Sequence, residues 1–470
     1  MTTTIAAEGL DFDLSTRCVV VGAGACGLIA ALTLADANIE ALVLERDSAP
    51  TGSTSMSSGF IPAAGSRLQQ SYGIEDSAVQ FAADLNRKAN SEADPDIVRT
   101  VSEHSGKVLD WLEKSHGLEW VLLQDFLYPG HTAHRMHAVP EKTGAGLHSR
   151  LLAACERASV TIATGARVDA LVIKEANGIP VVSGVRVVRP DGSIEHIRTS
   201  AVILACNGYG ANPQLMERFI PAMAGAHYHG HAGNTGDAVL WGEALEVPLI
   251  HTGAYQGHGS LAHGYNILIT WALMMEGGIQ VNSEGNRFSN EHTGYSEQAV
   301  HVLRQPGGHA YNVYDQRLHE LGLSFPDYKE AFDAGAVKEA DTIEQLALNL
   351  SVPGQNLAAT LDEVTSLSIA NDTDQFGRQF KAEQALYKPW YSIKVAPAVF
   401  HTQGGLQIDT GGRVQHKSGN SVPGLYAAGG AACGVSGATV AGYLSGNGLL
   451  TAVAFGNIAA ATAIDELAPA

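Results

Sequence analysis

The apolar run Arg17–Val21 ends in the turn Gly22-Ala23-Gly24-Ala25-Cys26-Gly27, and an apolar helical pattern follows through Leu34. A second apolar run, Ala41–Leu44, stops at Glu45. This order predicts strand, tight turn, helix and strand. Residues 77–118 and 145–157 carry helical patterns. Runs at 166–174, 180–189 and 194–205, separated by Asn177-Gly178 and Asp191-Gly192, predict a three-stranded β-meander. Its last strand leads into a second glycine turn, Ala205–Gly210. From about residue 253 to 400 the pattern changes to helices and loops rich in His, Tyr and Trp. From His401 it is glycine-rich again. This order fits a cofactor domain interrupted by an inserted cap and completed by the C-terminal segment.

Length and composition narrow the classes. A chain of 470 residues exceeds one ordinary core, which predicts two domains. Apolar residues make up 45% and charged residues 16%, as in a soluble globular protein. The net charge of −19 argues against nucleic-acid binding, which needs a basic face. The five cysteines have no metal-ligand spacing, so reduced, mostly buried thiols in a cytoplasmic protein are expected. Met1–Thr16 is polar and unlike a signal peptide. No charged residue lies between Lys417 and Asp465. Glycines and turn residues interrupt that stretch, and its longest helical part begins near Asn447. It reads as packed against a cofactor, with no membrane span.

The first glycine turn carries chemistry. In a βαβ unit the three glycines permit the bend, the approach of a pyrophosphate and close helix–strand packing. Gly22, Gly24 and Gly27 fill those places, and the helix start offers free N–H groups to phosphate. Glu45 stands where an acid binds ribose hydroxyls. The turn alone does not separate NAD from FAD. Two further segments favour FAD. Gly52–Gly59 is a small, hydroxyl-rich loop suited to lie against an isoalloxazine ring. Val422–Gly429 is a strand ending in glycines, and Ser445–Leu450 then starts an apolar helix whose positive end would stabilise a reduced, anionic flavin.

The chain resembles the fumarate reductase/succinate dehydrogenase flavoprotein family, nearer its 3-ketosteroid Δ1-dehydrogenase-like ketone desaturases. The resemblance rests on Gly22–Gly27 with Glu45, the Ser53–Gly59 loop, Asn234-Thr-Gly-Asp237 and Tyr255-Gln-Gly-His258. It continues through Val281-Asn-x-x-Gly-x-Arg287-Phe-x-Asn-Glu291, His401-Thr-x-Gly-Gly-Leu-x-Ile-Asp409 and Gly424–Gly429. It implies an α/β fold: a Rossmann-like FAD-binding domain of the glutathione-reductase type at 1–252 and 402–470. An α+β capping domain is implied at 253–401, with substrate between the two. The implied cofactor set is Gly22, Gly24, Gly27, Glu45, Arg46, Ser53, Thr54, Ser58, Gly59, Asp237, Gly429, Gly448 and Leu449. No histidine occurs in Thr51–Gly59, so FAD is expected to be bound noncovalently. Gly430 stands where the family has a glutamate after the Ala-Ala-Gly turn.

The resemblance also implies a catalytic set. Arg287 matches the cap arginine that gives a proton to substrate, and His258 and His401 match the histidines that grip carboxylates. Three places depart. The stretch between Gly437 and Gly446 has no second arginine. The two positions of the proton relay behind the cap arginine, aligned without gaps, hold Trp271 and Met274. Tyr443 stands near where ketosteroid dehydrogenases hold the substrate ketone, with packing as its plain alternative. Thr270, Trp271 and Gly446 are expected to line a site with one polar end and an apolar body. His227, His229 and His231 read as a loop before Asn234, with no metal site. His131, His134 and His137 read as a solvated loop.

The expected function is FAD-dependent dehydrogenation of a carbon–carbon bond next to the carbonyl of a cyclic ketone or keto acid. Hydride would pass to flavin N5, and Arg287 or another base would take the α-proton. The electron acceptor would be a quinone, oxygen or a carrier protein. The alternatives are a fumarate-reductase-like enoate reductase and a flavoprotein electron-transfer subunit.

Overall fold

A computed structural model describes residues 3–124 and 126–468; the outer ends of the expected cofactor domain, 1–2 and 469–470, lie outside the described residues. The chain divides into two compact units. One comprises residues 1–220, 230–255 and 401–470, the other 221–229 and 256–400.

The first unit is built on a six-stranded sheet. Its strand order is Arg413–Gln415, Ser421–Ala427, Ala201–Leu204, Cys18–Val21, Ala41–Leu44 and Thr161–Ala163. All neighbours are parallel except Arg413–Gln415 against Ser421–Ala427. Cys18–Val21 is buried along its whole length, as a central parallel strand must be. The helix Ala25–Asp36 follows, and Asn447–Leu467 packs along it and along Pro95–His116. Gly456 permits that approach, because a Cβ there would lie 2.6 Å from the Cys26 carbonyl oxygen.

Residues 167–198 form the expected hairpins, with Asn177 at φ 55° and Gly178 at φ 74°. The third run differs from expectation. Ile194–Arg198 stays in the five-stranded sheet, whereas Ala201–Leu204 leaves it and enters the parallel sheet beside Cys18–Val21. Alternation ends at the exposed Ser200, and Ala201–Leu204 are all buried. The 77–118 pattern is two helices, Ala78–Lys88 and Pro95–His116, parted by Asn90 and Ser91 in left-handed backbone and by the Asp94 cap. The segment expected as a loop at 52–59 begins with a helical turn, Gly52–Met56.

The local pattern of the second unit suggests helices and loops, but its centre is a mixed sheet, as the α+β cap implied by the resemblance requires. Trp390–Thr402 is its longest strand and neighbours Tyr255–Ala262 and Ala310–Asp315; Ile279–Val281 follows at the edge. Val337–Ala340 also pairs with it. His227 and Tyr228 pair with Ala398 and Val399, which draws residues 221–229 into this unit. Aromatic residues such as Tyr314, Tyr328 and Trp390 fill the core.

Among the described residues one helix, Asn447–Leu467, is long and apolar enough to cross a membrane by length and composition, and more than half of it is buried. The first glycine turn is among the tightest local constraints. A Cβ on Gly27 would stand 1.9 Å from the Gly22 carbonyl oxygen. Gly27→Ala is expected to destabilise the protein at the upper end of the roughly 1–3 kcal/mol of overpacking. Gly354→Ala, where a Cβ meets only Ala347 at 3.6 Å, is expected to be neutral or slightly stabilising. Thermal midpoints of the two variants check this pair.

Candidate active site

The first unit presents a cradle for an extended anionic cofactor. Gly22 has φ 107°, and a Cβ there would meet the Ala205 carbonyl oxygen at 2.7 Å. Neither Gly24, which starts Ala25–Asp36, nor Gly446, which starts Asn447–Leu467, caps its helix with a side chain. Thr54 Oγ1 accepts from Ala25 N, and one oxygen of Glu45 accepts from Ala23 N while the other accepts from Asp47 N. Ser53 Oγ accepts from the amides of both Asn207 and Asn234, drawing the second glycine turn to the 52–59 segment. Gly59 has φ 73°, and Ser58 is exposed.

Arg46 donates to Asp47 and to the Gly233 carbonyl; His231 also meets Asp47 and accepts from Gly233 N. His231 therefore closes a loop. No group suited to hold a metal ion occurs among the described residues. Asp237 accepts from Thr235, Gly429 has φ 58°, and Leu449 packs on the core.

A chain of hydrogen bonds runs from the start of the C-terminal helix to His401. Asn447 Nδ2 donates to Ser436 Oγ, which donates to Gln403 Oε1. Gln403 Nε2 then donates to His401 Nδ1 at 2.8 Å. Accepting at Nδ1 leaves the ring proton on Nε2. Burial pushes the His401 pKa down to about 4, so the ring is neutral. The Tyr443 ring lies 5.7 Å from it, edge-on. Gly448 lets the helix start pass close, since a Cβ there would be 2.7 Å from His401. Asn447 Oδ1 is buried with no hydrogen-bond partner. An uncapped helix start beside an unanswered buried acceptor fits a group that supplies both an electron-rich edge and a donor. Gln403, Ser436 and Asn447 escaped the sequence reading because only folding brings residues 403, 436 and 447 together.

The second unit holds His258 in an aromatic box. Tyr295 stacks on it at 5.0 Å, and Trp271 and Phe400 stand edge-on at 5.6 and 5.8 Å. Ser260 N donates to His258 Nδ1, so here too the proton sits on Nε2. Burial, with His229 nearby, lowers its pKa to about 3. Trp271 spends its indole N–H on the Glu291 carbonyl, and Thr270 accepts from Ala272 N. Tyr295 was missed; its signal was a tyrosine four residues beyond Glu291, opening a helix.

Arg287 does not stand free. Its Nε and Nη2 donate to Glu291 at 3.0 and 2.7 Å, Nη2 also to the Ser289 carbonyl, and Nη1 to Asp374. Arg378 donates to Glu291 at 2.8 Å and to the Gly278 carbonyl. All four charged side chains are buried, and two cations face two carboxylates. Burial acts to lower the Arg287 pKa, but Glu291 and Asp374 outweigh it and hold it above the ordinary arginine value. Burial likewise opposes ionisation of Glu291, yet Arg378 and Arg287 bring its pKa down to about 2. The gapless expectation of Trp271 and Met274 behind Arg287 therefore gives way to Glu291, Asp374 and Arg378. They form a closed, neutral network, which makes Arg287 a poor proton donor.

The solvated reading of residues 131–137 is also overturned. Arg135 and His137 are fully buried, and His131 nearly so. His137 meets Ser66 Oγ and the Arg135 carbonyl.

Residues 17–449 match the FAD_binding_2 family, described as an FAD binding domain. The chain belongs to this family. It is an FAD-dependent oxidoreductase acting on CH–CH groups. A similar protein is the probable fumarate reductase Ifc3 of Shewanella frigidimarina (strain NCIMB 400). It is 28% identical over 449 residues, covering 95% of this chain and 74% of that protein. The open conformation of a flavocytochrome c3 fumarate reductase matches with TM-score 0.83 at 26% identity, over 97% of this chain and 79% of that one. The 3-ketosteroid-Δ4-(5α)-dehydrogenase of Rhodococcus jostii RHA1 shares the fold. Its TM-score is 0.79 at 23% identity, over 99% of this chain and all of that one.

Two outcomes follow for this flavoprotein. Arg287→Ala leaves Asp374 without its arginine and Glu291 with one, so unfolding in denaturant should show a loss of about 3–5 kcal/mol. An unchanged midpoint would contradict the network. His258 and His401 resist protonation when folded, so the unfolded state binds more protons between their folded values and 6.5. Stability should fall as pH drops from 6.5 towards about 3. His258→Gln, which cannot titrate, should flatten that slope in thermal scans.

Proposed function

We propose that the enzyme dehydrogenates the Cα–Cβ bond next to the carbonyl of an uncharged ketone or a keto acid. The carrying observation is the absence, among the described residues of both clusters, of a cation left over for substrate. Arg287 and Arg378 are neutralised by Glu291 and Asp374. The C-terminal segment around Tyr443 has no charged residue from 418 to 464. A second substrate carboxylate would lack a partner, at a cost of several kcal/mol. The clusters offer neutral donors instead, the Nε2–H groups of His258 and His401.

We read Gly22, Gly24 and Gly27 as the pyrophosphate turn and Glu45 as the ribose acid. Ser53, Thr54 and the start of Asn447–Leu467 would face the ring system. FAD, expected to be held noncovalently because Thr51–Gly59 has no histidine, would supply the hydride acceptor. His401 and Tyr443 are read as holding the carbonyl oxygen. A neutral donor gains strength there as the oxygen becomes enolate-like, so it stabilises the transition state more than the ground state. Tyr295, in its tyrosinate form, is the group that would take the α-proton and become the phenol. It stacks on His258. Trp271, Thr270 and Gly446 are read as lining the substrate.

A second reading, reduction of an enoate, is supported by the fumarate reductases among the similar proteins. Under it Tyr295 gives the proton. Anaerobic mixing separates the two. Saturated cyclic ketones should bleach the flavin, and Tyr295→Phe should slow bleaching by about 10²–10⁴-fold, the usual worth of a positioned acid or base, with FAD content unchanged. No bleaching by any ketone, together with reoxidation of the reduced enzyme by fumarate-like acids, would sink the dehydrogenase reading.

A further inference from the structure

The segment that carries Tyr443 rests on a buried ionic knot. Arg135 is fully buried and donates from Nε and Nη2 to the two oxygens of Asp76, both at 2.9 Å. Its Nη1 donates to Asp84 at 2.7 Å, and its guanidinium lies 4.5 Å over the Phe81 ring. Arg87 donates to the other oxygen of Asp84. Two cations thus face two carboxylates. The same Nη1 stands 3.5 Å from His131 Nδ1, and His131 Nε2 stands 3.0 Å from the Ser445 carbonyl oxygen.

These partners decide the state of His131. A guanidinium only donates and a carbonyl only accepts, so both bonds form only with the ring neutral and its proton on Nε2. Burial and the Arg135 charge act the same way, pushing its pKa down to about 4. Neighbouring packing is close as well. A Cβ on Gly130 would lie 2.6 Å from Leu444, and one on Gly446 would lie 2.5 Å from Pro62. The segment 443–446 is therefore tied at the Ser445 carbonyl and wedged on either side.

We propose that His131, its tautomer locked by Arg135, is a positioning residue for the reaction: through the Ser445 carbonyl it sets the place of Tyr443 and of the helix start at Gly446. This rests on the reading of Tyr443 as a substrate-holding group.

The test uses the FAD-loaded protein with His131→Leu, and with His131→Gln, whose amide can accept from Arg135 and donate to Ser445. Amide hydrogen exchange at 443–449 reports positioning without any substrate. Steady-state kinetics with the best saturated ketone report its consequence. His131→Leu should speed exchange across 443–449 and lower kcat about three- to tenfold, the worth of one neutral hydrogen bond, with a smaller change in KM. His131→Gln should restore most of both. Unchanged exchange or unchanged kcat in His131→Leu overturns the proposal, as does a His131→Gln variant no better than His131→Leu. Should His131→Leu fail to fold, His131→Asn, too short to reach Ser445, takes its place with the same expectations. If no ketone reduces the wild-type flavin, the substrate reading has failed. The exchange comparison then decides positioning alone: faster exchange rescued by Gln supports it, and unchanged exchange overturns it.

Discussion

Pairing of buried charge is the constraint on which the rest of this protein depends. An ion taken from water into a protein interior loses several kcal/mol of solvation even after relaxation, and only a well-placed counter-ion returns it. The second unit buries two arginines and two carboxylates as one neutral network, and the first unit buries Arg135 against Asp76 and Asp84, with the exposed Arg87 also on Asp84. Each network ties distant stretches of chain. Arg287 and Glu291 are held to Asp374 and Arg378, while Arg135 joins Asp76 and Asp84. Once the charges are spent on each other, neither network leaves an unpaired cation among the residues it joins.

Local pattern revealed the elements whose partners are close in sequence. The turn at Gly22–Gly27, the strand Ala41–Leu44 and the helix Gly144–Arg157 follow from apolar spacing and glycine placement. The division of 194–205 between two sheets was not legible, because apolar content says that a strand is buried but not which neighbour buries it. The same limit applied at Arg287. The motif marks the position, but its companions Asp374 and Arg378 lie some ninety residues on. A gapless alignment therefore found Trp271 and Met274 and concluded that nothing stood behind the arginine. His131 and His137 read as part of a solvated loop because the pairing of Arg135 with Asp76 and Asp84, which allows that loop to be buried, joins residues far apart in sequence.

The neutrality of the two histidines bears on which chemistry the fold supports. A cationic imidazole binds a carboxylate in the ground state and the transition state nearly alike. A neutral N–H gains most where charge appears during reaction. In His258 and His401 the neutral form is enforced by burial and by a donor aimed at Nδ1, so the proton must face away on Nε2. The two rings reach this state by unrelated means, a backbone N–H in one unit and a three-residue side-chain chain in the other. Such duplication has a physical reason. A ring with an uncommitted Nδ1 would exchange tautomers and offer an acceptor half the time.

The same reasoning explains the uncharged stretch from Ser418 to Ile464. As a hydropathy trace it resembles a membrane span, but the helix within it packs against Ala25–Asp36 at Gly456, where any side chain would strike the Cys26 carbonyl. Its other end begins at Gly446 with no side-chain cap, leaving N–H groups and the positive end of the helix dipole unanswered. A lysine or arginine near that start would add positive charge to an end that already carries it. An aspartate or glutamate would cap the helix and consume the field. The stretch is thus apolar because its helix is packed inside the unit, a cause that hydropathy alone does not separate from a lipid-facing surface.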